Sequence, residues 1–222
     1  MKKRFEFSIA ILLFIALVLI NSCAKDNGTN SQYPDVTASA DTIYGTLKYK
    51  PPTGTNLVVD WPFGIATFKV IVGTNEVLTS ATVNADGTFM LVLPATVSGS
   101  YLSSLAEIAT TQGGTIKAAP ETVRFLGELL YKVDYNENGA PNTMITNLFT
   151  LKSDFSIDKS YFYNFYDSDG TFTGTGTNGN VYDWLYTKGW GMVESYVIST
   201  SSDAFNSKSV DVAPSNAVWV NN

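Results

Sequence analysis

From Asp41 onward the chain alternates apolar and polar residues in short runs, and turn residues interrupt those runs roughly every 8–12 residues. This period of two constrains the fold more than any other feature, because successive side chains on a strand point to opposite faces. Thr42–Tyr49 alternates around Gly45 and is broken by Pro51, Pro52 and Gly54, since proline has no N–H for a ladder. Ala66–Val72 and Val77–Val83 read as the next strands, parted by Gly73-Thr74-Asn75. Asn84-Ala85-Asp86-Gly87 predicts a hairpin turn, Asp-Gly supplying the positive φ that tight turns need. Thr88–Leu93 leads out of it to Pro94.

The second half follows the same grammar. Ser104-Leu105-Ala106-Glu107 has the form of a capping box, with Leu105, Ile108 and Ala109 on one face, and predicts about two turns of helix ending at Gly113-Gly114. Thr122–Tyr135 fits helical and strand spacing alike, and the punctuation after it favours strand. Thr146–Lys152, Tyr161–Tyr166, Thr171–Thr177, Val181–Tyr186, Lys188–Val193, Ser195–Thr200 and Ala217–Val220 read as further strands. Evenly spaced strands of this kind predict an all-β sandwich or barrel with one short helix.

Composition removes several chemistries. There is no His, so no Ser-His-Asp triad, Cys-His pair or His-bearing zinc site is available. A single Cys allows no internal disulfide and no thiolate cluster. The formal charge of −6 gives no basic footprint for nucleic acid, and the 14 Lys and Arg residues are dispersed.

The N-terminal segment predicts export. Met1-Lys2-Lys3-Arg4 precedes an apolar run, Phe7–Ile20, broken only by Ser8 and too short to span a bilayer comfortably. Ile20-Asn21-Ser22-Cys23 resembles a bacterial lipobox. The resemblance implies a signal peptide of residues 1–22, cleavage before Cys23, and lipidation of Cys23, palmitate included. Two or more acyl chains give stable anchoring without a membrane span. Loss of residues 1–22 removes three basic residues and Glu6, lowering the formal charge by two, from −6 to −8. Ala24-Lys25-Asp26-Asn27 is similar to the export signal of surface-displayed Bacteroidetes lipoproteins, and a plain polar tether explains it equally. Residues 23–40 are polar, without apolar periodicity, and are expected to form that tether.

A second resemblance covers residues 41–100. The strand with Gly45, Ala66-Thr67-Phe68-Lys69-Val70 and the hairpin Asp86-Gly87-Thr88-Phe89 followed by Leu93-Pro94 resemble the carboxypeptidase regulatory-like domains. Membership implies a small Ig-like or transthyretin-like β-sandwich with a spacer or docking role and no catalysis. The expected organisation is a β-sandwich domain over 41–112 and a second β-rich domain over 113–222, packed as one unit or two. Lys188-Gly189-Trp190 and the strand after it resemble the C-terminal sheet of other small Bacteroidetes lipoproteins.

Three groups of residues invite a functional reading. Asp134-Tyr135-Asn136-Glu137-Asn138-Gly139 fits the start of a calcium loop, with Asp134, Asn136 and Asn138 as ligands; Ile145 stands where a bidentate Glu belongs, so Asp154 or Asp158 would have to complete the site. A polar β-turn is the simpler account, and the same holds for Asp167-Ser168-Asp169-Gly170. Tyr161, Phe162, Tyr163, Phe165, Tyr166, Trp184, Tyr186 and Trp190 fall close together, and Tyr163, Trp184 and Trp190 are the candidates for stacking on a glycan. Alternation predicts one core face for Tyr161–Tyr166 and a Tyr-rich outer face. For an enzyme only a carboxylate pair remains, drawn from residues such as Glu107, Glu121, Glu128, Asp183 and Glu194. The sequence therefore predicts a non-catalytic, cell-surface outer-membrane lipoprotein that binds or adheres to a glycan or an envelope protein. An accessory subunit recruited by β-augmentation and a carboxylate-dependent hydrolase are the alternatives.

Overall fold

The computed structural model describes residues 35–51, 57–127, 129–198 and 204–221. The strands in chain order are β1 (Val36–Thr37), β2 (Asp41–Tyr49), β3 (Val59–Asp60), β4 (Ala66–Val72), β5 (Glu76–Val83), β6 (Thr88–Leu93), β7 (Thr96–Val97) and β8 (Ser103–Ser104). Helix α1 (Leu105–Gln112) follows. Then come β9 (Lys117–Ala119), β10 (Arg124–Leu126), β11 (Leu130–Glu137), β12 (Ala140–Leu151), β13 (Ile157–Tyr166), β14 (Gly170–Thr175), β15 (Val181–Tyr186), β16 (Gly189–Val197), β17 (Phe205–Val210) and β18 (Val218–Asn221). The fold is all-β with one α-helix among the described residues.

Seven strands close on themselves in the order β11-β4-β5-β6-β2-β18-β12, with β12 pairing back to β11. Closure leaves few open edges, the weakest seam being β5 with β6, which share ladder pairing only at Val83 and Phe89. Every pair in the ring is antiparallel except β2 with β18, where Trp219 lies opposite Leu47. The architecture is thus a closed barrel with additional strands. The inward residues of the alternation fill it: Phe68, Phe89, Tyr131 and Trp219 meet at ring-centroid distances of 4.5 to 6.1 Å, surrounded by Ile43, Leu47, Val70 and Leu91. Gly45 makes room for them. A Cβ there would lie 2.6 Å from both the Phe89 and Trp219 rings.

Strands from before and after residue 112 interleave in the ring, since β4 pairs β11 and β2 pairs β18. One edge of β12 serves two partners. Its first half, Ala140–Ile145, pairs β11 and closes the barrel. Leu148–Leu151 pairs β13 and begins a second sheet, β13-β16-β17-β15-β14-β9, with β10 and β8 added beside the end of β13. Helix α1 covers this sheet, its Leu105 and Ala109 packing with Phe125, Tyr166, Phe172, Tyr182 and Tyr186.

Strand β13 lies between two cores. Tyr161 packs into the barrel cluster and Tyr166 into the second, while Phe165 joins a third with Val36, Val72 and Val97. A strand covered on both faces reads as a near-continuous apolar run, which explains Tyr161–Tyr166. The Tyr-rich outer face expected of it is not formed: Tyr161, Asn164, Phe165 and Tyr166 are all buried.

Other boundaries shift. Ordered pairing begins inside the expected tether, with Val36 opposite Val97. Thr122–Tyr135 divides into β10 and β11 around Gly127. The strands expected at 188–193 and 195–200 are one strand, β16.

Candidate functional site

Cys23, the apolar run before it and residues 24–34 lie outside the described residues. Among the described residues no helix is long and apolar enough to cross a membrane.

The calcium-loop spacing has another origin. Asp134 and Asn136 lie on β11, facing Thr143 and Pro141 of β12. Asn138 and Gly139, with φ of 54° and 83°, form the two-residue turn between Glu137 and Ala140, the arrangement expected of a type I′ hairpin. The Asp134 carboxylate is already engaged: Lys69 Nζ pairs with Oδ2, and Thr143 Oγ1 donates to Oδ1 at 2.7 Å. These two contacts hold its pKa below the ordinary carboxylate value. Asp167 and Asp169 are likewise spent on the fold. Arg124 donates to Asp167 from its backbone N–H (2.9 Å) and from Nε (2.7 Å), and the Lys188 N–H donates to Asp169 at 2.7 Å. No group of three His, Cys, Asp or Glu side chains among the described residues comes together to hold a metal.

The three stacking candidates do not come together: Tyr163 and Trp190 lie on one face of β13 and β16 against the barrel core, and Trp184 lies elsewhere. Trp184 belongs to the core under α1, between Phe125, Phe172 and Tyr182, and its indole N–H donates to Ser207 Oγ at 2.8 Å. Trp190 packs on Phe165 and donates to the Pro94 carbonyl at 2.8 Å. Tyr163 packs against the barrel core, and burial pushes its hydroxyl up to about 12. The two indoles have their N–H groups satisfied internally, and all three rings are half-buried against a core.

One carboxylate is held differently. Glu194, 6% exposed, accepts from Lys159 Nζ at 2.9 Å and from Tyr161 OH at 3.0 Å, with Lys208 Nζ at 3.8 Å. It joins β13, β16 and β17 across the register Tyr161–Glu194–Lys208. Burial raises its pKa, but the lysines and the phenol outweigh burial and leave it below its ordinary value. The group is a charged clasp between strands, and among the described residues no second carboxylate is hydrogen-bonded to it.

Two surface features remain. Comparison of the chain with family models, with curated proteins and with solved structures finds no match. The site must therefore be read from its own geometry. The first feature is a strip on the outer wall of the barrel, where Tyr44 (74% exposed) pairs with Met90 (55%), and Val92 (47%) follows on β6. The second is an open groove of about 310 Å³ at the end of β12 and β18, lined by the aliphatic Val58, Leu151 and Val218 together with Lys48, Lys152, Phe155 and Asn216. Lys48 pairs with the exposed Asp60. Phe155 stands in a turn closed by Lys152 N–H to Ser156 O and by Phe155 N–H to Lys152 O, both 2.9 Å. Its φ is 59°. Sequence reasoning missed both features, because each is assembled from residues far apart in the chain.

Proposed function

We propose that this chain is a lipid-anchored protein of the outer membrane, displayed at the cell surface, with a non-catalytic binding role toward a protein of the envelope. Cys23 carries the lipid in this reading, and residues from Cys23 to the start of β1 are the tether. The observation that carries the binding role is the apolar strip Tyr44, Met90 and Val92, three large side chains left in water on adjacent barrel strands. Contiguous apolar surface is unfavourable unless something covers it. The filled barrel interior and the internally engaged carboxylates support the same conclusion. Kinship of residues 41–100 with the carboxypeptidase regulatory-like domains belongs to this proposal, resting on the Asp86-Gly87 hairpin and its flanking strands. An Ig-like two-sheet arrangement is its finer form, and the closed ring is what that kinship has to accommodate.

An accessory role by β-augmentation is the second reading. β5 and β6 pair at Val83 and Phe89 beside their turn, and further along a side chain, Thr79 Oγ1, donates to the Val92 carbonyl at 2.8 Å. A strand added at that seam would lie beside the strip.

Metabolic labelling with an alkynyl fatty acid tests the anchor. Label on the wild type that disappears with Cys23→Ala supports it, and equal labelling of both sinks it. Saturable binding of the purified Cys23→Ala chain to envelopes from cells lacking the protein tests the role. The expected result is loss of about tenfold in affinity on Tyr44→Asp with Met90→Asp. Unchanged binding removes the strip from the account.

A further inference from the structure

We propose that the groove between Lys48, Lys152 and Phe155 is a binding site for a small aromatic carboxylate. This inference uses no residue of the outer strip and holds whether or not the chain is lipidated. Val58, Leu151 and Val218 give it aliphatic lining and Phe155 offers a ring, so the surface suits a flat apolar body. Two lysines line it, Lys48 on β2 and Lys152 beyond β12, and no acidic side chain is among its described lining residues, although Asp60 pairs with Lys48 and Asp154 lies within the field of Lys152. The Lys48–Asp60 pair is exposed on the Asp60 side, and an exposed pair is held weakly enough to yield to a ligand carboxylate. The volume, about 310 Å³, suits one or two fused rings.

The second, independent observation is the backbone of Phe155. A bulky residue at φ 59° is a steric outlier, and a turn such as Lys152–Ser156 is served better by glycine or asparagine. The turn is nevertheless pinned, with Ser156 N–H and Oγ both donating to Asp154 Oδ1 at 3.0 and 2.5 Å. Strain retained at an exposed position is accounted for when the side chain it presents is used. The ring borders the groove and is about one-third exposed (36%).

The test is calorimetric titration of the full chain carrying Cys23→Ala with 2-naphthoate and its uncharged analogue 2-naphthamide. The expected result is 2-naphthoate binding at about millimolar or tighter, and about tenfold more tightly than the amide. Lys152→Gln should erase most of that tenfold advantage. Phe155→Gly should weaken 2-naphthoate about tenfold while its melting temperature stays level or rises, because glycine relieves the strain. A purely structural Phe155 predicts the reverse, a lower melting temperature with binding unchanged, and that result overturns the proposal. Equal binding of acid and amide, or no binding of either at millimolar concentration, also overturns it.

Discussion

Glu194 is buried between Lys159, Lys208 and Tyr161, and its negative charge is what holds the three together. Glu194→Gln keeps the shape and removes the charge, so about 1–3 kcal/mol of stability should be lost, read from urea unfolding at pH 7. Because the folded carboxyl titrates below its ordinary 4.5, its contribution is complete above that value and disappears as pH falls through the folded pKa. The gap between wild type and variant should therefore narrow below about pH 4.5; a gap constant from pH 7 to pH 3 would show that the charge is not the cause. At Gly45 the limiting quantity is space. Gly45→Ala pushes a methyl group into the Phe89 and Trp219 rings, and a loss of about 1–3 kcal/mol is expected, measured the same way.

Among the elements, those legible in the sequence were the ones specified locally. The Asp86-Gly87 hairpin forms as read, with Gly87 at φ 85° and the Gly87 N–H donating to the Asn84 carbonyl. Helix α1 begins where the capping box placed it, Ser104 Oγ accepting from the Glu107 N–H at 3.3 Å, and Ser104→Ala should cost about 1 kcal/mol. The turn of the β11–β12 hairpin was legible as the polar β-turn that is the simpler account of Asp134–Gly139, and the calcium alternative arose from a coincidence of period. Calcium ligands and one face of a strand both recur at every second residue, so Asp134, Asn136 and Asn138 satisfy either pattern until Thr143 and Lys69 are seen to occupy the carboxylate. Millimolar calcium should leave the melting temperature unchanged, whereas Gly139→Ala, forced to φ 83°, should lower stability by about 1–2 kcal/mol. The short strands β8, β9 and β10 carry too few residues to show alternation. The groove was illegible because Lys48, Val58, Leu151, Phe155 and Val218 come from separate segments, and nothing local reveals the backbone of Phe155.

At the scale of the whole molecule, the shared edge of β12 and the doubly covered β13 tie the barrel to the second sheet. Unfolding should be a single transition, with the barrel indole Trp219 and the second-core indole Trp184 reporting the same midpoint when each is followed with the other three tryptophans replaced by Phe. Two separated midpoints would mean that the sheets melt independently. The parallel contact of β2 with β18 has a consequence in time. Synthesis from the N-terminus presents β2, β4, β5 and β6 early, yet the ring stays open until Val218–Asn221 arrives to seat Trp219 against Leu47. Most of the wall is thus delivered before the strand that seals it, and the half-built ring must be kept from pairing with neighbours during that interval.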